Sequence, residues 1–134
     1  MSDVLTFSDT AIFSIEPGSS NVALNVGEQL TLEQALYGMM LESGNEAANG
    51  IAEYVGGSLT DFAKLMTQTV KDLGGKKSNF ENPNGLYTKN HYSCAYDMAL
   101  VVREGLKNEN WRKFTSTTYY ELPPTNKQEL TRYW

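Results

Sequence analysis

Ser43-Gly44-Asn45 sets a hydroxyl and a carboxamide two residues apart around a glycine, at what the flanking sequence marks as a corner between two helices. Read locally, the pair also has plain structural meanings. Ser43 followed by Glu46 forms a capping box, and asparagine is a common turn residue. His91 and Cys94, three apart, hold the chain's one imidazole and one thiol. A cysteine at a helix N-terminus can have a lowered pKa, which opens thiol chemistry, but this spacing fits no established nucleophile pattern. One histidine and one cysteine do not make a metal site, and no cofactor is expected.

The corner needs two helices to hold it. Thr31 caps the first, and Gln34 completes a capping box. Leu32, Ala35, Leu36, Met39 and Met40 then recur at helical spacing, the Met39-Met40 pair reading as core packing, until Gly44 breaks the run. The second helix carries Ala47, Ala48, Ile51, Ala52 and Val55 on one face and stops at Gly56-Gly57. Ser43 and Asn45 are thereby expected to face outward from a buried junction.

A third helix starts at Ser58, with Asp61 at its third position, and runs through Leu59, Phe62, Met66, Val70 and Leu73 to Gly74-Gly75. Residues 76–90 read as a loop whose Asn82-Pro83-Asn84-Gly85 turn is pinned by Phe80, Leu86 and Tyr87. A fourth helix follows, with Ser93 as its cap, Asp97 as an anchoring carboxylate and Ala95, Ala99, Val102 and Leu106 on its inner face. Asn108 and Asn110 open a short helical turn over residues 111–114.

Three N-terminal segments, 4–7, 11–15 and 22–26, alternate apolar and polar residues as half-buried strands do, with Pro17-Gly18 and Gly27 between them. Residues 117–122, rich in Thr and Tyr, read as another strand ended by Pro123-Pro124. The expected architecture is therefore mostly α (α+β), with a few short strands.

At 134 residues the chain is one domain's worth of material. It carries a net charge of −5 with dispersed acidic residues and no basic stripe, which excludes nucleic acid as a partner. No apolar run approaches the roughly 20 residues of a membrane helix. Tyr133 and Trp134 close the sequence, and an aromatic pair there is expected to need something to pack against, as in a piece of a longer protein.

Together, Gly27-Glu28, Leu30-Thr31-Leu32, Tyr37-Gly38, Ser43-Gly44-Asn45-Glu46-Ala47-Ala48, Asn82-Pro83-Asn84-Gly85-Leu86, His91-Tyr92-Ser93 and Asp97-Met98-Ala99 resemble the low-molecular-mass penicillin-binding proteins of the serine D-alanyl-D-alanine carboxypeptidase family. The resemblance spans most of the chain, in the family's order. That family uses a Ser-x-x-Lys helix start, a Ser-x-Asn corner and a Lys-Thr-Gly strand. Only the corner is present in this sequence. The resemblance implies that residues 1–134 are a single partial domain, the central helical lobe of an incomplete β-lactamase/transpeptidase-like fold. The nucleophilic serine helix would precede Ser2, and the strand would follow Trp134.

By resemblance, Ser43 is the motif serine that passes a proton toward the leaving D-alanine amine, and Asn45 is the catalytic and substrate-binding amide that orients the peptide carbonyl. The implied partners of the whole protein are the peptidoglycan stem peptide and β-lactams, and the implied location is extracytoplasmic, in the bacterial cell envelope. Glu42 departs from the pattern, standing where a neutral residue is expected. A fragment without the nucleophile is expected to be inactive, and its unpaired apolar faces are expected to favour self-association. The competing expectation is a non-catalytic helical binding or structural module built from the same lobe.

Overall fold

The capping box at Thr31 forms as the sequence predicts: its hydroxyl accepts from Gln34 N, and the Gln34 side chain accepts from Thr31 N. From this point the computed structural model, which describes residues 1–134, can be followed in both directions. In chain order it contains β1 (Val4–Thr6), α1 (Asp9–Phe13), β2 (Gln29–Thr31), α2 (Leu32–Leu41), α3 (Asn45–Gly56) and α4 (Leu59–Asp72). After a loop come α5 (Ala95–Gly105), α6 (Glu109–Ser116), β3 (Glu121–Leu122) and β4 (Arg132–Tyr133). Six helices and four very short strands make the chain mostly helical, as expected.

Two antiparallel ribbons, β1 with β2 and β3 with β4, bracket the α2–α3 pair. Leu5 lies opposite Leu30 in the first ribbon, and both are buried against Phe7, Ala35 and Ile51. Gly50 lets Phe7 lie against α3, because a methyl group there would run into the phenyl ring. On the other side Tyr37 stacks on Tyr120 with centroids 4.2 Å apart and meets the edge of Phe114 at 4.8 Å. Trp134 closes over α2 at Gly38, where an added Cβ would sit 3.0 Å from its ring. The terminal tryptophan thus finds its packing partners within this chain, whereas Tyr133 stays exposed.

Several expectations are corrected. Residues 11–15 belong to α1 and the bend after it rather than to a strand: Ser8 caps that helix by accepting from Ala11 N at 3.0 Å, and its hydroxyl reaches Glu53. Residues 22–26 bury Val22 and Leu24 as a strand would, yet form no ladder. Their amides bond to a side chain, Glu46, and Ala23 turns the backbone into the left-handed region at φ 54°. The ladder partner of β1 is β2, which the sequence reading passed over as the lead-in to α2. Residues 117–120 lie outside the strand that β3 forms, although Tyr120 and Trp134 exchange backbone hydrogen bonds of 2.8 and 2.9 Å.

α5 is rotated relative to its predicted face. Asp97 and Leu100 point inward, while Ala95, Ala99, Val102 and Leu106 are half-exposed or exposed. The reason is polar: the Asp97 carboxylate accepts from Lys77 N (2.7 Å), Lys76 N (3.2 Å) and the Ser78 hydroxyl (2.7 Å), fixing the helix to the preceding loop. The Ser78 hydrogen bond, against the opposing effect of burial, holds this carboxyl below the ordinary aspartate value. Ser93 is not the cap; that position falls to Cys94 without a side-chain bond, and the Ser93 hydroxyl pairs with that of Ser78. Tyr87 does not pin the loop, being 84% exposed, while Phe80 and Leu86 are half-buried.

The C-terminal ribbon is held by a buried ion pair between Glu28, fully buried, and Arg132. Burial alone would raise the Glu28 pKa; hydrogen bonds from Thr125, Asn25 and Arg132 outweigh it and hold the carboxyl below its ordinary 4.5. A carboxyl with a depressed folded pKa contributes stability that is fully present above the unfolded value and lost as pH falls through the folded one. Arg132→Met is therefore expected to cost about 3 kcal/mol at pH 7, where it strands a buried carboxylate, and clearly less below pH 4. Urea unfolding at the two pH values checks this, and an equal cost at both would contradict it.

Candidate functional site

α2 ends by folding two amides onto one carbonyl: Glu42 N and Gly44 N both donate to Gly38 O, at 3.3 and 3.2 Å. Between them Ser43 takes φ 55°, in the left-handed region where a helix end ordinarily places glycine. A serine held there costs on the order of 1 kcal/mol. Gly44 follows in a gap too small for a side chain, since a Cβ would lie 3.2 Å from Gly38 O and from Val22 Cγ2, and 3.3 Å from Ala47 Cβ. α3 begins at Asn45, whose N–H donates to Ser20 O at 3.1 Å.

The predicted capping box between Ser43 and Glu46 does not form. The N-cap is Gly44, with no side-chain hydrogen bond, and the Glu46 carboxylate is turned away to accept from Val22 N at 2.7 Å and Leu24 N at 3.4 Å. Ser43 is exposed as expected, whereas Asn45 is buried to 7% exposure rather than facing outward. Neither the Ser43 hydroxyl nor the Asn45 carboxamide is bonded within the chain, while neighbouring Glu46 and Asn49 are both engaged. The corner thus offers a neutral donor–acceptor pair with free valences: one hydroxyl, one amide N–H₂ and one amide carbonyl.

One turn further along α3, Asn49 is fully buried and ties three segments together. Its Nδ2 donates to Ala11 O (3.0 Å) and Ser14 O (3.4 Å), and its Oδ1 accepts from Asn84 Nδ2 (3.1 Å). The Asn82-Pro83-Asn84-Gly85 turn is closed by Gly85 N donating to Asn82 Oδ1 at 2.8 Å, so it docks as a unit on the helix that starts at the corner. The sequence singles out nothing at Asn49, offers Glu46 only as a capping partner of Ser43 and Glu28 only within the family resemblance; the one signal for their buried roles is a polar residue on the apolar side of a helix or beside a turn glycine. His91 serves the same loop: its Nδ1 accepts from Glu81 N at 3.1 Å, and its ring meets Phe80 edge-on. No hydrogen bond joins it to Cys94, which gives the thiol reading no base.

A mostly helical lobe with a Ser-x-Asn corner at the α2–α3 junction defines the class: this is the helical lobe of the penicillin-binding transpeptidase fold. Penicillin binding protein 5 from Haemophilus influenzae superposes over 98% of this chain and 37% of its own, with TM-score 0.83 at 26% identity. The D-alanyl-D-alanine carboxypeptidase DacD from Francisella tularensis matches 84% of this chain and 27% of its own, with TM-score 0.76 at 32% identity. The chain belongs to the D-alanyl-D-alanine carboxypeptidase family, whose sequence pattern matches residues 1–132. Among its relatives, the D-alanyl-D-alanine carboxypeptidase DacF of Bacillus subtilis is 44% identical over 100 residues, 75% of this chain and 26% of that protein. The chain therefore spans about a quarter of the length of that relative.

Proposed function

We propose that residues 1–134 are the central helical lobe of a serine-type D-alanyl-D-alanine carboxypeptidase, and that Ser43 and Asn45 form one wall of its catalytic cleft. The observation that carries this reading is the unengaged pair itself. A serine is kept in a left-handed conformation that glycine would adopt more cheaply, and its hydroxyl caps nothing. Strain retained without a structural return is typical of functional positions.

In the whole protein a serine from a Ser-x-x-Lys helix attacks the carbonyl between the two terminal D-alanines of a peptidoglycan stem peptide. The C–N bond breaks, D-alanine leaves, and water hydrolyses the resulting serine ester. Asn45 donates to and accepts from the peptide backbone of the substrate, holding the carbonyl in line for attack. Ser43 relays the proton taken from the nucleophile to the departing amine, for which a hydroxyl that both donates and accepts is suited. β-Lactams acylate the same serine. Since this sequence contains neither Ser-x-x-Lys nor Lys-Thr-Gly, the isolated chain is inactive.

The substrate places the whole protein outside the cytoplasmic membrane, in the bacterial cell envelope; no helix of this chain is long and apolar enough to cross a membrane. The assay is D-alanine release from a diacylated Lys-D-Ala-D-Ala tripeptide by the full-length protein and by residues 1–134. Release by the full-length protein alone is expected. No release by either would leave the non-catalytic helical module as the better reading. The isolated chain is also expected to self-associate, because α4 and α5 leave a groove of about 330 Å³ between Phe62, Leu65, Met66, Phe80, Met98 and Val101. Light scattering across a concentration series reads this, and a monomer throughout would count against it.

A further inference from the structure

Asn45 takes its position from a segment with no regular structure. Residues 20–24 pass the N-terminus of α3, and Ser20 O receives the Asn45 N–H. That segment is gripped on both of its hydrogen-bonding edges. Glu46 Oε1 accepts the amides of Val22 and Leu24, while Arg132 Nη1 donates to the carbonyls of Val22 and Ala23 at 3.5 and 3.3 Å. Ala23, left-handed at φ 54°, lets alternate peptide groups turn toward these two side chains. The gripped Val22 is also the side chain that bounds Gly44, the middle residue of the corner.

Glu46 is the unusual member of this arrangement. It is 2% exposed, it is adjacent in sequence to Asn45, and its Oε2 is buried without a partner. Burying a carboxylate with half of its acceptor capacity unused is unfavourable, and helix capping does not account for it, because Glu46 bonds none of the α3 amides. Its bonds run only to the segment that carries Ser20 and Val22.

We propose that Glu46 is a positioning residue for the catalytic corner: by fixing the amides of Val22 and Leu24 it sets the segment on which Asn45 N rests and against which Gly44 packs, and so sets the direction of the Asn45 carboxamide and the Ser43 hydroxyl. The inference rests on the carboxypeptidase reading. Its consequence is that the two oxygens differ in importance: an acceptor is needed at Oε1, and a charge is not.

The test uses the full-length protein and a chromogenic β-lactam, with acylation resolved into initial binding and the acylation rate constant per titratable site, beside thermal unfolding. Glu46→Ala is expected to lower that rate constant about 10-fold or more through misplacement of the corner, while initial binding changes little. Glu46→Gln keeps an acceptor at Oε1 and is expected to stay within about 3-fold of the unmutated rate. Glu46→Asp keeps the charge but withdraws the acceptor, and is expected to resemble Glu46→Ala, so it serves if the alanine variant does not fold. A purely structural role would lower the melting temperature and the titratable fraction while leaving the rate constant per titratable site unchanged; that result in Glu46→Ala or Glu46→Asp overturns the proposal. A full-length protein that takes no β-lactam at all would instead remove the carboxypeptidase reading, and the positioning role with it.

Discussion

Asn45→Ala in the full-length protein is expected to slow β-lactam acylation by about 100-fold, the scale set by losing the group that aligns a reacting carbonyl. The same substitution is expected to cost little stability. The backbone bond from Asn45 N to Ser20 O does not involve the side chain, and the carboxamide has no partner within the chain to lose. Alanine also suits the first turn of a helix better than asparagine does by intrinsic propensity. Stopped-flow acylation and thermal unfolding on one preparation separate the two effects. A fall in melting temperature with an unchanged acylation rate would make Asn45 a structural residue and nothing more.

Ser43→Gly is expected to bring a comparable loss of acylation with the fold intact. Serine at φ 55° carries a left-handed strain of about 1 kcal/mol, which glycine removes. Glycine gives back about 0.5–1 kcal/mol through the greater freedom of its unfolded chain, so net stability stays close to that of the unmutated protein. The substitution removes a hydroxymethyl group on an exposed residue, and its hydroxyl bonds nothing in the folded chain. Acylation falling about 100-fold at unchanged melting temperature would identify that hydroxyl as the proton relay. Unchanged acylation would show that Ser43 is merely a poor substitute for a helix-ending glycine.

The helices were legible where their signals are local. Thr31 with Gln34, Ser58 with Asp61 and Asn108 with Asn110 each place the capping side chain and the backbone N–H that donates to it within three residues, and each forms. Gly57 and Gly74 end their helices at positive φ for the same reason. The corner itself was visible as Ser43-Gly44-Asn45, although its local pattern also spelled a capping box with Glu46. The box lost because the Glu46 carboxylate has a better-placed use 24 residues away at Val22, and nothing in a four-residue window reports that. Glu28 with Arg132, 104 apart, and Asn49 with Ala11, 38 apart, were out of reach for the same reason.

The misread strands have a related origin. Alternation at residues 22–26 does mark one buried face, with Val22 and Leu24 inside, but alternation says nothing about what pairs with the backbone. Here a glutamate and an arginine side chain take the place of neighbouring strands. On α5 the apolar residues pointed to one face and the buried carboxylate chose another, because Asp97 finds two amides and a hydroxyl on the loop it packs against.

Ser43 and Asn45, as proposed, line one wall of an acylating cleft in the full-length protein. Labelling with a fluorescent penicillin tests this most directly, applied in parallel to the full-length protein, its Ser43→Gly and Asn45→Ala variants, and residues 1–134 alone. A covalent label on the full-length protein, strongly slowed labelling of both variants and none on the isolated chain is the predicted result. A full-length protein that carries both flanking motifs and takes no label, or variants labelled at the unmutated rate, would contradict it.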